Sequence, residues 1–432
     1  SQNVAIGNYA ADALTSADNC VAIGYNAMTA NNTGTTNTAV GALAMETNTT
    51  GAENVAIGFN AFNDNNAGYG VAIGSQCATK NTTGASNVAI GNSALNTNTT
   101  GAQNIAIGRS ALQLNATTGN NTAVGFEALR ANVATGNTAV GYLAGRALTS
   151  GIRNVAIGSE AGKTQTTTNA NTSVGFEALK VGVAGETTAI GAFCLTANTT
   201  GTHNVGVGKN ALYANVSGNQ NTAVGTSAMA TNTGSLNTAL GYNTLASNTT
   251  GARNIAIGPN AYNLSDTEND NLAIGLDAMT TNTAGGTGNI AIGNYALDEL
   301  TSGDFNTSVG LLSGNSITEG TSNVCLGAGV GANISTGNEN VMIGRNTGSH
   351  TVNLTTGSEN VIIGPYCDTS AANSVNQIVL GYDVSGNANN SFAFGAGSTD
   401  SAIAFGATSI SAPSDIRLKQ NINDDVAGLS FI

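Results

Sequence analysis

The chain has 432 residues, among them 57 Gly, 3 Pro and no Trp, and only 9% of its side chains are charged, with a formal net charge of −13. Small charge per residue and regularly placed Val, Ile and Leu exclude a disordered polar chain. Without a basic cluster to track a phosphate backbone, nucleic acid is not an expected partner; without a run of 18 apolar residues, no membrane span is expected.

The first element is a short apolar core, Asn3-Val4-Ala5-Ile6-Gly7, and it returns at residues 54–58, 104–108, 154–158 and 254–258. Its closing glycines set a clock, Gly7, Gly24, Gly41, Gly58, Gly74 and onward to Gly364, with 21 intervals over 357 residues and a mean of 17. Internal periodicity of this kind marks a solenoid and overrides a domain count based on length. With that glycine as position 0, positions −3 and −1 are mostly Val, Ile or Leu and −2 is small. Alternate side chains of a strand point to opposite faces. Neither face is polar, so the strand is expected to be buried on both sides.

Position +3 is small again and +4 is often large and apolar, as in Met28, Phe62, Leu95 and Leu129, which predicts a second strand after the glycine. Polar turns such as Thr47-Asn48-Thr49-Thr50-Gly51 then close each coil, because Gly supplies positive φ and Asn tolerates it. Two short strands and two turns per 17 residues predict an all-β fold, a parallel β-roll or β-solenoid of about two dozen coils stacked at roughly 4.8 Å. Segments around Glu53, Gln103, Arg153, His203 and Arg253 also align at 50-residue steps, three coils each.

Cys77, Cys194 and Cys367 fall at +3, Cys325 at −2 and Cys20 at −4. These phases predict packing residues with no metal role. His203 and His350 lack neighbours for metal or nucleophilic chemistry, and no cofactor is expected. Asn recurs at −4, for example Asn37, Asn87, Asn121 and Asn137, and predicts a stacked amide ladder.

The core unit, as in Asn54-Val55-Ala56-Ile57-Gly58, resembles the head repeats of trimeric autotransporter adhesins. That resemblance covers nearly the whole chain. It implies a left-handed parallel β-roll and three subunits about one axis, with the −2 and +3 residues filling a thin roll and the −3 and −1 residues facing partners. The coil here is longer than usual for that family; only the step from Gly381 to Gly395 has its 14-residue length. The pattern breaks at Ala412-Pro413, and Ser414-Asp415-Ile416-Arg417-Leu418-Lys419-Gln420-Asn421-Ile422 resembles the opening of the intramolecular chaperone domain of phage tailspikes and endosialidases. The resemblance implies self-cleavage after Ser414, with Ser414 as nucleophile and Lys419 as its base. A desolvated Lys can be neutral and accept that proton. Only 13 residues follow Lys419, so cleavage is not expected in this chain, and the start at Ser1 reads as a fragment of something longer.

The expected organisation is a solenoid shaft over residues 1–381, shortened coils and linker over 382–413, and a truncated chaperone start over 414–432. The expected function is structural and adhesive rather than enzymatic: a homotrimeric phage tail fibre, at the virion surface or outside the cell, that contacts other tail proteins and a host surface receptor, a glycan among the candidates. A bacterial trimeric surface adhesin is the alternative, and an ice-binding solenoid the minor one.

Overall fold

The computed structural model describes residues 2–407, except 183–184, 282–284 and 398–399; Ser414 and Lys419 lie outside the described residues. The chain divides into two compact units, Ser1–Thr250 and Gly251–Ile432, and each is a parallel β-solenoid without a helix among its described residues.

In the first unit, strands of three residues run from β1 (Val4–Ile6) to β15 (Thr238–Leu240). Each pairs in parallel with the next, one coil on, in a fixed register: Val4 opposite Val21, Val21 opposite Thr38, Thr38 opposite Val55. The −2 residues Ala22, Ala39, Ala56 and Ala72 are fully buried, and so are the +3 and +4 residues Ala27, Met28, Ala61, Phe62, Ala94 and Leu95. The roll interior is therefore filled from −2, +3 and +4. The −3 and −1 residues, Val, Ile, Leu or Thr, point outward and are half-buried to exposed. Burial on both faces is thus not found within one chain. Three-residue strands leave the outer face of each rung uncovered.

Position 0 is glycine for a geometric reason. Gly24 has φ +135°, and a Cβ on it would lie 2.6 Å from the carbonyl oxygen of Gly41 in the next coil. Any side chain would force the coils apart.

The second strand expected after the glycine is not formed. The segment consists of consecutive turns because +2 and +4 both sit in the left-handed region, for instance Asn26 at φ 55° and Met28 at φ 53°. Inter-coil hydrogen bonding persists without a strand: Asn26 donates N–H to the Asn8 carbonyl of the preceding coil, and Met28 to the Ala44 carbonyl of the following one, at 3.0 and 2.9 Å. Left-handed geometry costs a non-glycine residue about 1–2 kcal/mol. Complete burial of a Met, Leu or Phe side chain contributes about 1.5–3 kcal/mol, so the coil keeps this conformation with large apolar residues at +4.

Asn at −4 forms the anticipated ladder. Asn54 donates Nδ2–H to Asn37 Oδ1 (3.2 Å) and to the Ala67 carbonyl (2.8 Å), while its backbone N–H donates to the same Asn37 Oδ1 (3.0 Å). Cys20 takes this position with a thiol 3.3 Å from the Gly34 carbonyl, the acceptor an Asn amide would have used. A second ladder stands at +7, in residues read from sequence as a polar surface turn: Asn31, Asn48, Asn65, Asn81 and Asn98 are fully or almost fully buried. Asn48 Nδ2 donates to Asn31 Oδ1 at 3.1 Å and to the Gly51 carbonyl at 3.0 Å. Buried amides must be paired because an unmet donor or acceptor costs about 1–3 kcal/mol. Stacking identical residues supplies acceptors for the Nδ2 donors, although the Oδ1 atoms of Asn98 and Asn215 accept no hydrogen bond.

The second unit begins with three-residue strands, β16 (Ile255–Ile257) through β22 (Val361–Ile363), keeps the −4 ladder, and then changes. β23 (Gln377–Tyr382) and β24 (Ser391–Ala396) each span six residues, and β25 (Ser401–Ala404) lies antiparallel to β24. That antiparallel strand covers the growing edge of the sheet, which would otherwise offer unpaired backbone groups. The interior also changes: +7 is Leu300, Ile317 and Ile334, all fully buried.

Candidate interaction surfaces

The described residues hold no group of three or more His, Cys, Asp and Glu able to bind a metal ion. The five cysteines are free and buried. Burial pushes the thiols of Cys77, Cys194 and Cys325 up to about 12, so they are neutral packing groups at physiological pH. His203 and His350 lie at the surface beside single carboxylates: His203 Nε2 is 2.6 Å from Glu186 Oε2, and His350 Nε2 is 3.9 Å from Asp383 Oδ1. Each is a solvent-exposed side-chain contact, with no nucleophile in it. No described helix is long and apolar enough to cross a membrane.

Three features of the surface stand out. The first is the outer strand face. In the first unit Ile57, Ile105, Val140, Ile157, Ile190 and Val205 are 37–40% exposed at −3 or −1, and the parallel register places these positions in continuous rows. The second unit continues the pattern with Ile255 and Ile343, and its last coils enlarge it with Ile378, Leu380 and Phe405. Ile378, Phe392, Ile403 and Phe405 line an apolar cavity of about 250 Å³.

The second feature is a lateral surface of the first unit formed by positions +1, +2 and +5. Phe193, Lys209, Asn210 and Tyr213 from these rows line one depression of about 370 Å³. Arg109 lies over the ring of Phe126 (5.7 Å), which stacks on Tyr142 with centroids 5.5 Å apart and planes 17° from parallel. Beside them runs a ladder of ion pairs. Arg146 Nε reaches Glu127 Oε2 at 2.5 Å, and Lys163 and Lys180 each reach Glu160 at 3.0 Å. Lys180 also bonds Glu177 at 3.0 Å. Hydrogen bonds donated by Lys163 and Lys180 hold the Glu160 carboxyl below its ordinary value, and donating to Glu160 and Glu177 raises Lys180.

The third is the loop inserted in the long coil between Gly344 and Gly364 of the second unit. The buried carboxylate of Asp368 accepts N–H bonds from His350, Thr351 and Val352 at 3.1, 2.6 and 3.1 Å, and the Thr351 hydroxyl at 2.7 Å. His350 and Arg345 flank Tyr366 at 4.8 and 5.7 Å.

Compared with known proteins, the chain matches no family model, no curated sequence and no solved structure. The +5 cations went unnoticed in the linear sequence because Arg130, Arg146, Lys163 and Lys180 are 16 or 17 residues apart. Reading charges at the coil period would have found them, since that spacing brings them to adjacent rungs.

Proposed function

We propose that this chain is one subunit of a homotrimeric fibre shaft, a left-handed β-roll in each subunit, that carries a virion to a host surface receptor. The outer apolar rows carry this reading. Val, Ile and Leu repeated once per coil leave a solenoid with a continuous apolar surface, and such surfaces mark interaction sites. A partner must match the rung spacing to cover the rows without voids, and a second copy of the same chain has that spacing by construction. Closed cyclic assembly is the usual outcome for identical subunits; the number three rests on the resemblance to trimeric adhesin heads.

In this reading the solenoid supplies length, its lateral loops supply contacts, and a C-terminal chaperone beginning at Ser414 sets register before cutting itself away with Ser414 and Lys419. Register requires control because every coil offers nearly the same face to its partner. Light scattering of the intact chain tests the assembly: three times the 42.7 kDa chain mass is expected. A clean monomer at micromolar concentration refutes it.

A further inference from the structure

We infer that the lateral surface between Arg109 and Lys209 is a binding site for an acidic polysaccharide lying across the coils. This deepens the attachment reading and rests on it for its biological setting. Its physical basis is charge segregation. Residues 109–209 hold seven of the 12 Lys and Arg but four of the 25 Asp and Glu, so a net positive segment sits inside an acidic chain. Arg153 of those seven lies on the −5 row. The other six stand at +1 (Arg109, Lys209) and +5 (Arg130, Arg146, Lys163, Lys180), the two rows that, with +2, line the Lys209 depression.

Three carboxylates share this surface: Glu127, Glu160 and Glu177, all at +2. They bond Arg146, Lys163 and Lys180 and leave an excess of three positive charges among the rows. Exposed aromatic groups adjoin them, with Tyr142 53%, Phe176 46% and Tyr213 46% exposed. Cations repeated every rung, acceptor carboxylates between them and flat apolar rings beside them match a polymer of hydroxyl-rich rings with spaced carboxylates. The cations meet the carboxylates by charge-assisted bonds. The Glu oxygens accept from hydroxyls, and the rings cover C–H faces. A nucleic acid matches less well, because its denser phosphates would confront the three carboxylates.

Calorimetry of the intact chain with oligogalacturonate, neutral dextran and a thymidine-only single-stranded DNA tests the assignment. Binding of oligogalacturonate is expected, weakening with salt, with dextran inert. The triple variant Arg146→Gln, Lys163→Gln, Lys180→Gln should lose about tenfold or more in affinity, as expected for removal of several charge-assisted contacts, while Lys80→Gln with Arg253→Gln changes nothing. Because the triple variant also breaks ion pairs, Glu160→Gln with Glu177→Gln provides a test of opposite sign and should tighten binding. No binding of oligogalacturonate, equal binding by the triple variant, or tighter binding of the DNA overturns the site. A chain of trimeric mass that binds no oligogalacturonate fails this inference alone; a monomer that binds it fails only the fibre reading.

Discussion

The two units share a rung and differ in what fills it. In the first, +7 is chiefly a buried Asn that bonds the Asn one coil back and closes its own turn. In the second the same place holds Leu300, Ile317 and Ile334. The exchange is accompanied by a change at +4. Gly314 and Gly331 precede Ile317 and Ile334, just as Gly145 precedes Leu148 in the first unit, whereas Met28, Leu95 and Leu112 precede Asn. A Cβ on Gly314 would already lie 2.9 Å from Ile317 Cδ1. In the coils with Gly at +4 the large residue at +7 takes up the interior space, while the coil with Leu297 and Leu300 holds both, each fully buried. Charge differs too: the first unit carries eight Lys and Arg against nine Asp and Glu, the second four against 16. The backbone of the rung is thus independent of whether amides or methyl groups occupy +7, and what both units keep is the position 0 glycine and the −4 ladder.

That independence makes the glycine the most sensitive point in either unit. Gly108→Ala and Gly310→Ala should each destabilise by about 3 kcal/mol or more, because Ala resists the required φ and its Cβ would meet a carbonyl oxygen, 2.3 Å away in both cases. Gly136, at φ +74° with its nearest neighbour 3.9 Å away, should lose only about 1 kcal/mol on the same change. Urea midpoints, with hydrogen exchange to localise the opening, distinguish these cases. An equal, small loss at all three would remove position 0 as the feature the units share.

The +4 and +7 exchange predicts a smaller and more specific effect. Asn98→Leu removes bonds to Asn81 Oδ1 and the Gly101 carbonyl and overfills the coil. Asn87 still donates to both acceptors, so the cost should be about 2–3 kcal/mol. Adding Leu95→Gly should return about 1 kcal/mol of it, a coupling typical of contacting residues. Strict additivity of the two changes would mean that volume is not traded between these positions.

Much of this was legible in the sequence because the period is. The glycine clock, the apolar −3 and −1 rows, the small −2 residue, the −4 ladder and the interior cysteines all follow from phase alone. Two features were hidden by residue type. Leu and Met at +4 carry no mark of left-handed geometry, so a second strand was expected where turns occur. Asn48 and Asn98 sit in Thr-rich stretches that look like solvent loops, and only the closure of the coil turns them inward. The lateral charges were hidden by linear distance, while Ser414 and Lys419 lie outside the described residues.

Electrostatics should distinguish Glu160 of the first unit from Asp298 of the second by sign, with the smallest effect. In the first unit Glu160 titrates below its ordinary value because of Lys163 and Lys180. It binds protons less readily folded than unfolded, so its contribution is present above the unfolded carboxylate value and is lost as pH falls through the folded one. In the second unit Asp298 is raised, chiefly by burial, with Asp277 and Glu299 adding to it and a Thr280 hydrogen bond opposing. Its contribution runs the other way, present below the unfolded value and lost as pH rises through the folded one. Glu160→Gln should therefore cost up to about 1 kcal/mol at neutral pH and nothing in strong acid. Asp298→Asn should stabilise slightly at neutral pH and lose that gain as the solution is acidified. Denaturant midpoints for both variants across the acid range check the pair, and parallel pH profiles would refute the opposite signs assigned to Glu160 and Asp298.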